Sequence, residues 1–363
     1  MTISIWASMT LTAIFIISGL IFRRSLILTI LLLIWMYILI GFNEGGPDIN
    51  NYYLMYSESS SPSSMFNFGP GQLWVDWNLF TKSLNLNFVQ SHALIMVPVM
   101  LILFTGIRLL TENVNFLLAL MMIYPLPDMV IQRRQIIAMA IIVYAIHFLK
   151  QKKVMYQMSF IISVIVAYGF HEMSLLFLPL IFIPYLNISH IFRTMIILDI
   201  IASIGISFFL KYASVIFSQS KVELYTQSLQ ISKIKTIPFV ILHFVIVLLT
   251  YYLGRQKIQE DKMSDSDELI LKLSVVSTVY TPLYFINTIF FRYFRTLIIG
   301  VYAFFSNDQR PLNARWQLFI IIIFSVIGLN LFFYVLFGQL GFDWLILPIF
   351  KDNVLFNPSI YSY

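Results

Sequence analysis

The chain has no cysteine, little charge and no Gly-rich phosphate loop, and each absence removes a class of function. Without cysteine there are no disulfides, no thiol nucleophile and no Cys-ligated metal. Charged residues make up 11% of 363, against roughly 25% in a soluble domain. The net charge of +6 is dispersed, and no block of like charge is present to grip nucleic acid. No Ser-His-Asp arrangement is recognisable. His92, His147, His190 and His243 are scattered along the chain, and none stands at metal-ligand spacing from another or from His171. That argues against zinc. Neither a metal nor another cofactor is expected.

What the chain has in excess is apolar sequence. Hydrophobic residues are 59% of the total, and the mean hydropathy is +0.85. Continuous apolar runs near the spanning length of about 18 residues recur along the whole chain. A transmembrane β-barrel would show alternating segments of about ten residues instead. The reading is an all-α integral membrane protein, one domain over residues 1–363. Spans are expected near 3–22, 25–42, 88–107, 114–130, 135–149, 154–170, 172–187, 194–210, 236–253, 269–289, 292–308 and 316–337, a bundle of about twelve transmembrane helices. The N-terminus lacks a basic segment and a small-residue cleavage site, so it reads as a retained first helix.

Orientation follows from Lys and Arg in the short loops. With the Arg23-Arg24 turn in the cytoplasm, Arg108, Lys150, Lys152, Lys153, Arg193, Arg255, Lys257, Lys262, Arg310 and Arg315 also fall inside. Both termini are then outside. The inner stretch from Arg255 to Glu268, mixed in sign, reads as a solvated turn. Two outer segments are long. Residues 43–87 open on an acidic, turn-rich stretch, pass a Ser-rich loop and close on an aromatic amphipathic piece around Leu73 to Phe80, which suits the membrane interface. Residues 211–235 are the second.

On this map Arg133 and Arg134 stand on the side where positive charge is scarce. Fifteen residues separate Arg134 from Lys150, about 22 Å of α-helix, whereas the hydrocarbon is about 30 Å thick. The arginines therefore lie below the outer edge. Snorkelling, with Asp128 as ion-pair partner after the Tyr124-Pro125-Leu126-Pro127 break, is one reading. The other is an anion clamp, because guanidinium forks onto phosphate oxygens. Arg292 and Arg295 repeat the theme at the start of a later helix, three apart and on one face. Phe290, Phe291, Tyr293 and Phe294 around them suit an interfacial belt. His171, in the turn before Glu172, is either a hydrogen-bonded structural residue or a proton-transfer or phosphate-contacting group. Glu44 and Asp48 are the best general-base candidates, against the alternative of a solvated loop.

Four blocks carry a resemblance. Gly46-Pro47-Asp48-Ile49-Asn50-Asn51-Tyr52 resembles the "G-x-D-x-x-x-Y" start of the first outer loop in the EpsG family of polysaccharide polymerases. Arg134-Gln135-Ile136-Ile137-Ala138 is similar to its "R-Q-x-x-A" helix opening. Phe170-His171-Glu172-Met173-Ser174 is similar to its "F-H-x-S" turn, and Phe291-Arg292-Tyr293-Phe294 to its late "R-x-x-Y-F" block, compressed here. Pro47 before Asp48 and Glu172 after His171 depart from the pattern.

The resemblance implies a Wzy-type O-antigen or capsular polysaccharide polymerase, a glycosyltransferase with a GT-C-like fold in the bacterial inner membrane, its active site facing outward. The substrates it implies are undecaprenyl-pyrophosphate-linked oligosaccharides as donor and acceptor, and a chain-length regulator is a further expected partner. Joined to the charge map, it points to Arg134, with Arg133, Arg292 and Arg295, for the pyrophosphate and to Asp48, Glu44 or His171 for the acceptor proton; the match favours Arg134 over Arg133, which is left to pair with Asp128. Two rivals remain open: a GT-C enzyme adding one sugar from a polyprenyl phosphate, and a lipid-linked oligosaccharide flippase. A flippase commonly shows two related halves, and none is evident.

Overall fold

A computed structural model describes residues 5–59, 69–216, 233–307 and 346–357. The expected span at 316–337, Arg310, Arg315 and most of the two long outer segments' polar centres lie outside the described residues. Among those described the chain is helical without strands; one isolated bridge pairs Asn43 with Asn353.

Helices α1 (Ile5–Ile21) and α2 (Leu26–Gly41) form a hairpin. Ser25 caps α2 by accepting from the Leu28 amide, as N-cap serines do. The Trp35 indole donates to the Thr12 hydroxyl at 2.9 Å and ties the pair. Helices α3 (Ile49–Glu58) and α4 (Gln72–Ser83) follow. Asn87 and Gln90 exchange bonds as a capping box and start α5 (Phe88–Leu110).

The next stretch is broken. Helix α6 (Val114–Ile123) stops before Tyr124 and the cis bond to Pro125. A six-residue α7 (Leu126–Ile131) and then α8 (Arg133–Ala145) follow. Proline lacks an amide and cannot continue a helical ladder. Helix α8 runs into a 3₁₀ turn, Ile146–Lys150. After α9 (Val154–Phe170), residues Glu172–Tyr185 form a long 3₁₀ helix containing Pro179 and Pro184. At about 2.0 Å rise per residue a 3₁₀ helix reaches farther than an α-helix of equal length. Fourteen residues then extend about 28 Å, near the thickness of the hydrocarbon.

The second half holds α10 (Ile191–Ile216), α11 (Lys233–Gln259), α12 (Asp265–Val276), α13 (Thr281–Tyr284), α14 (Arg292–Ser306) and the short α15 (Leu347–Lys351). Ser264 caps α12, whose first turn carries Asp265, Asp267 and Glu268, a sign that suits the positive helix start.

Burial sorts these helices. All of α6 except Ile123, and Tyr293 to Ser306 of α14 except the half-buried Arg295, are buried. By contrast α1, α2, α5, α9, α10 and α11 present apolar side chains outward, among them Ile17, Ile34, Leu101, Ile162, Ile204 and Leu248. In lipid an apolar exterior carries no penalty, because hydrocarbon is as apolar as leucine. Four described segments are long and apolar enough to cross a membrane alone: Phe88–Leu110, Ile188–Gly205, Thr236–Gln259 and Thr288–Ser306. Five shorter apolar helices accompany them. The chain is an all-helical membrane protein.

Close approach of backbones fixes α8. A Cβ on Gly106 would stand 2.7 Å from the Tyr144 amide, so only glycine lets α5 cross α8 at that depth. Arg24, Asn113, Lys150, Lys257, Asp267 and Asn307 gather at one end of the bundle. Asn43 and the segment Asp352–Val354 meet at the other. The turn expected at that first end is exposed over residues 258–262, while the helices that flank it bury an ion pair beneath it: Lys257 holds Asp267 at 3.0 Å, both nearly enclosed. α11 and α12 extend farther than the hydropathy suggests and pack those charges against Phe304.

Candidate active site at the start of α8

The helix break at Pro125 and Pro127 carries Asp128 and Gln132 into the interior. The partner of Asp128 is Arg295, at 2.9 Å, with both side chains largely enclosed. The expected pairing of Asp128 with Arg133 is therefore incorrect in this respect; α14 brings a guanidinium from 167 residues away to the same carboxylate. Arg295 also donates to the Tyr124 hydroxyl at 3.0 Å and to the Gln132 side-chain oxygen at 3.1 Å. One guanidinium thus ties three points of the break. The aromatic residues around it correct a second expectation. Phe290, Phe291, Tyr293 and Phe294 are buried in the core and form no interfacial belt. Tyr293 instead donates to the Met173 carbonyl and packs edge-on against Phe177.

Arg133 and Arg134 diverge from the first turn of α8. Arg133 is 1% exposed. It donates through Nη2 to the Asn43 carbonyl, and its guanidinium lies 4.8 Å from the Phe88 ring centre and 6.0 Å from that of Tyr52. Its Nη1 is buried without a hydrogen-bond partner. Arg134 is half-buried and turns the other way, donating through Nε to the Phe170 carbonyl at 2.8 Å. Its guanidinium rests on Gly71, which has φ of +76° and accepts no side chain there: a Cβ would lie 2.2 Å from Nη2. The Gly71 amide in turn donates to the Tyr168 carbonyl. Two guanidiniums at a helix start oppose the positive end of the helix dipole, about 0.3–1 kcal/mol each. Gln132 offers no side-chain cap. The result is a concentrated positive locus of the kind that favours an anion.

The length argument for depth also changes. The last turn before Lys150 is 3₁₀, so the fifteen intervening residues span about 25 Å instead of about 22 Å. That raises the arginines by about 2 Å. Arg133 is enclosed by the surrounding protein, whereas Arg134 keeps part of its surface open.

His171 and Arg292 come together. Both line a cavity of about 20 Å³ with Gln135, Ser174, Tyr293 and Thr296. Next to it, a cavity of about 10 Å³ is lined by Asp128, Gln132, Gln135 and Arg295. Gln135 borders both, and its Oε1 is buried without a partner. Arg134 is joined to this neighbourhood through Phe170, the residue before His171. His171 and Arg292 thus share one cavity, Arg295 lines its neighbour, and Arg134 lines neither but is bonded to the residue before His171.

Glu44 follows Asn43, whose carbonyl Arg133 holds, and Asp48 lies near Tyr52, which both arginines influence. The Glu44 amide donates to the Asp352 carbonyl at 2.8 Å, and the Glu44 carboxylate supports the charge of Arg133 electrostatically. Asp48 precedes α3 at the N-cap position without a side-chain cap bond. Burial pushes the Tyr52 phenol up and Asp48 adds to that rise, against the opposing pull of Arg134 and Arg133. Neither Glu44 nor Asp48 lines the cavity that His171 and Arg292 share.

Gln132, Gln135, Tyr124 and Gly71 were not singled out by the sequence. The two glutamines carried a signal, since they flank the arginine pair and Gln135 stands in the R-Q-x-x-A block. Gly71 carried none, because its role depends on where Arg134 ends up. Two other histidines are structural: His243 is enclosed between the Tyr284 hydroxyl at 2.9 Å and the Ser277 hydroxyl at 2.7 Å, and His92 is bonded to the Ile40 carbonyl. No group of three or more His, Asp or Glu side chains suited to a metal occurs among the described residues.

No curated protein and no solved structure matches the chain significantly. A sequence model described as the EpsG family matches residues 25–346. That range takes in every candidate site residue from Glu44 to Arg295, and the chain belongs to the EpsG family, whose members are Wzy-type polysaccharide polymerases.

Proposed function

We propose that this protein elongates a glycan by moving it from undecaprenyl pyrophosphate onto the non-reducing end of a new lipid-linked repeat unit. The reaction runs at the outer face of the bacterial inner membrane, in a GT-C-like bundle of about twelve spans. The observation that carries the reading is the cavity that His171 and Arg292 share beside α8, with Arg134 of the same helix bonded to the Phe170 carbonyl next to His171.

The chemistry follows from charge. An acceptor hydroxyl attacks the anomeric carbon, the bond from that carbon to the pyrophosphate oxygen breaks, and negative charge grows on the leaving group. Donors fixed in advance where charge develops are worth about 10²–10³ in rate each. Arg134 and Arg292 take the pyrophosphate in this scheme. The acceptor proton passes to Asp48, Glu44 or His171, in keeping with general-base catalysis. Arg295 is committed to Asp128 and holds the break in shape. Arg133 holds the Asn43 carbonyl and so positions the loop that bears Glu44 and Asp48.

A cavity of about 20 Å³ has room for a single water, so a sugar enters only when the walls part. In the test, purified protein is incubated with lipid-linked repeat units and the product is resolved by size. A ladder spaced by one repeat supports polymerisation. A single added sugar, or transport without elongation, contradicts it.

A further inference from the structure

The end of the bundle opposite the candidate site contains a second, larger polar feature. A recess of about 710 Å³ opens between the α1–α2 turn, the α5–α6 turn and the start of α12. Arg23, Arg24, Arg108 and Lys262 line it, with Glu112 as the acid at its mouth; Lys262 is paired with Glu260 at 2.8 Å, which leaves the arginines to carry the positive charge. Arg24 is fixed in place, donating to the Asn113 side chain at 3.0 Å and pairing with Glu112 at 3.1 Å. Arg23 lies over the Phe116 ring at 4.8 Å.

The floor is a built network. Asn307 donates to the Asp267 carboxylate at 3.3 Å and accepts from Thr111 at 2.7 Å, while the Thr111 hydroxyl also meets Ser306 at 2.7 Å. Asp267 is buried and already neutralised by Lys257, so it does not cancel the cations above it.

The rim is apolar and turned outward. Ile21 is 63% exposed and Phe22 61%, and Leu109 beside Arg108 is exposed as well. A basic recess flanked by outward apolar side chains at the end of a membrane bundle matches one chemistry: an acidic headgroup with its acyl chains lying along the helices. Basic pockets between helix ends hold such headgroups. We propose that this recess binds the phosphate of an anionic phospholipid, with Arg23 and Arg108 as its main contacts and Arg24 as a fixed wall. The proposal does not rest on the reading of the α8 site.

The test mixes the purified full-length chain in neutral detergent with phosphatidylglycerol and phosphatidylcholine of identical acyl chains, and reads retained lipid by native mass spectrometry. A further arm adds inorganic phosphate as competitor. Each surface cation contributes about a fivefold gain for an anionic lipid at low salt. Phosphatidylglycerol should therefore be retained over phosphatidylcholine, and R23Q/R108Q should lose about 25-fold of that retention. R23K/R108K, which keeps the charge, should stay within about fivefold of the parent. Melting in lipid-free detergent checks that each variant is folded, and the lysine variant carries the test if the glutamine variant is not. Equal retention of the two lipids overturns the proposal, as does undiminished retention by folded R23Q/R108Q. Displacement of the lipid by millimolar inorganic phosphate, with no preference between lipids, marks a site for a free anion and overturns it too.

Discussion

Arg133 and Arg134 are neighbours in sequence and have different surroundings, and that difference decides what each can do. Arg133 is enclosed by Tyr52, Phe88 and the Asn43 carbonyl. Arg134 keeps part of its surface open and touches the stretch that presents His171. Lysine at position 134 keeps charge but loses the planar fork. Arg134→Lys should therefore leave partial transfer, with product length and turnover measured against the parent. Asp48→Asn should lose turnover while keeping lipid-substrate binding, and unchanged chain length in that variant would remove Asp48 as a base. The Asp128–Arg295 pair makes a stability prediction. Removing one partner of an enclosed pair leaves an unpaired charge, at a cost of about 3–5 kcal/mol. Asp128→Asn should lower the melting temperature, and D128N/R295M should recover part of the loss because the second change removes the stranded cation. A melting curve for the double variant no better than for Asp128→Asn would show that the pair is not what holds the break.

Among the elements, the broken segment α6–α7–α8 was the most legible part of the site. Pro125 and Pro127 announced the break, and Arg133-Arg134 announced an unusual helix start. The partner of Asp128 was not legible. Sequence neighbours suggest local pairs, whereas this pair depends on α14 packing against α6 and α8, the helices on either side of α7, a tertiary fact without a local signature. The aromatic residues Phe290 to Phe294 misled for a similar reason. Hydropathy cannot tell an interfacial ring from a core ring when both sit at a helix start. The 3₁₀ stretches at Ile146–Lys150 and Glu172–Tyr185 were invisible to a count that assumes 1.5 Å per residue. Gly71 provides the test at this scale. Gly71→Ala combines a left-handed backbone position with a Cβ that lands on the Arg134 guanidinium. It should displace Arg134 and depress transfer nearly as far as Arg134→Ala, and it should also lower the melting temperature, because backbone strain costs about 1 kcal/mol. Full activity in Gly71→Ala would mean that the Arg134 position seen here is not the working one.

At the scale of the whole molecule, the apolar exterior and the buried α6 and α14 describe a membrane bundle with its polar chemistry inside. The two ends differ in kind. One holds the α8 start with its enclosed arginines and small cavities; the other holds an open basic recess above a hydrogen-bonded floor. The central claim is that the first end stabilises a departing pyrophosphate. The measurement that tests it most directly is elongation of purified, lipid-linked repeat units by the parent chain and by Arg134→Ala at equal folded concentration. The account predicts a ladder from the parent and a loss of about 10²–10³ in elongation rate for the variant, with the melting temperature unchanged. A variant that builds the same ladder at the same rate would contradict it.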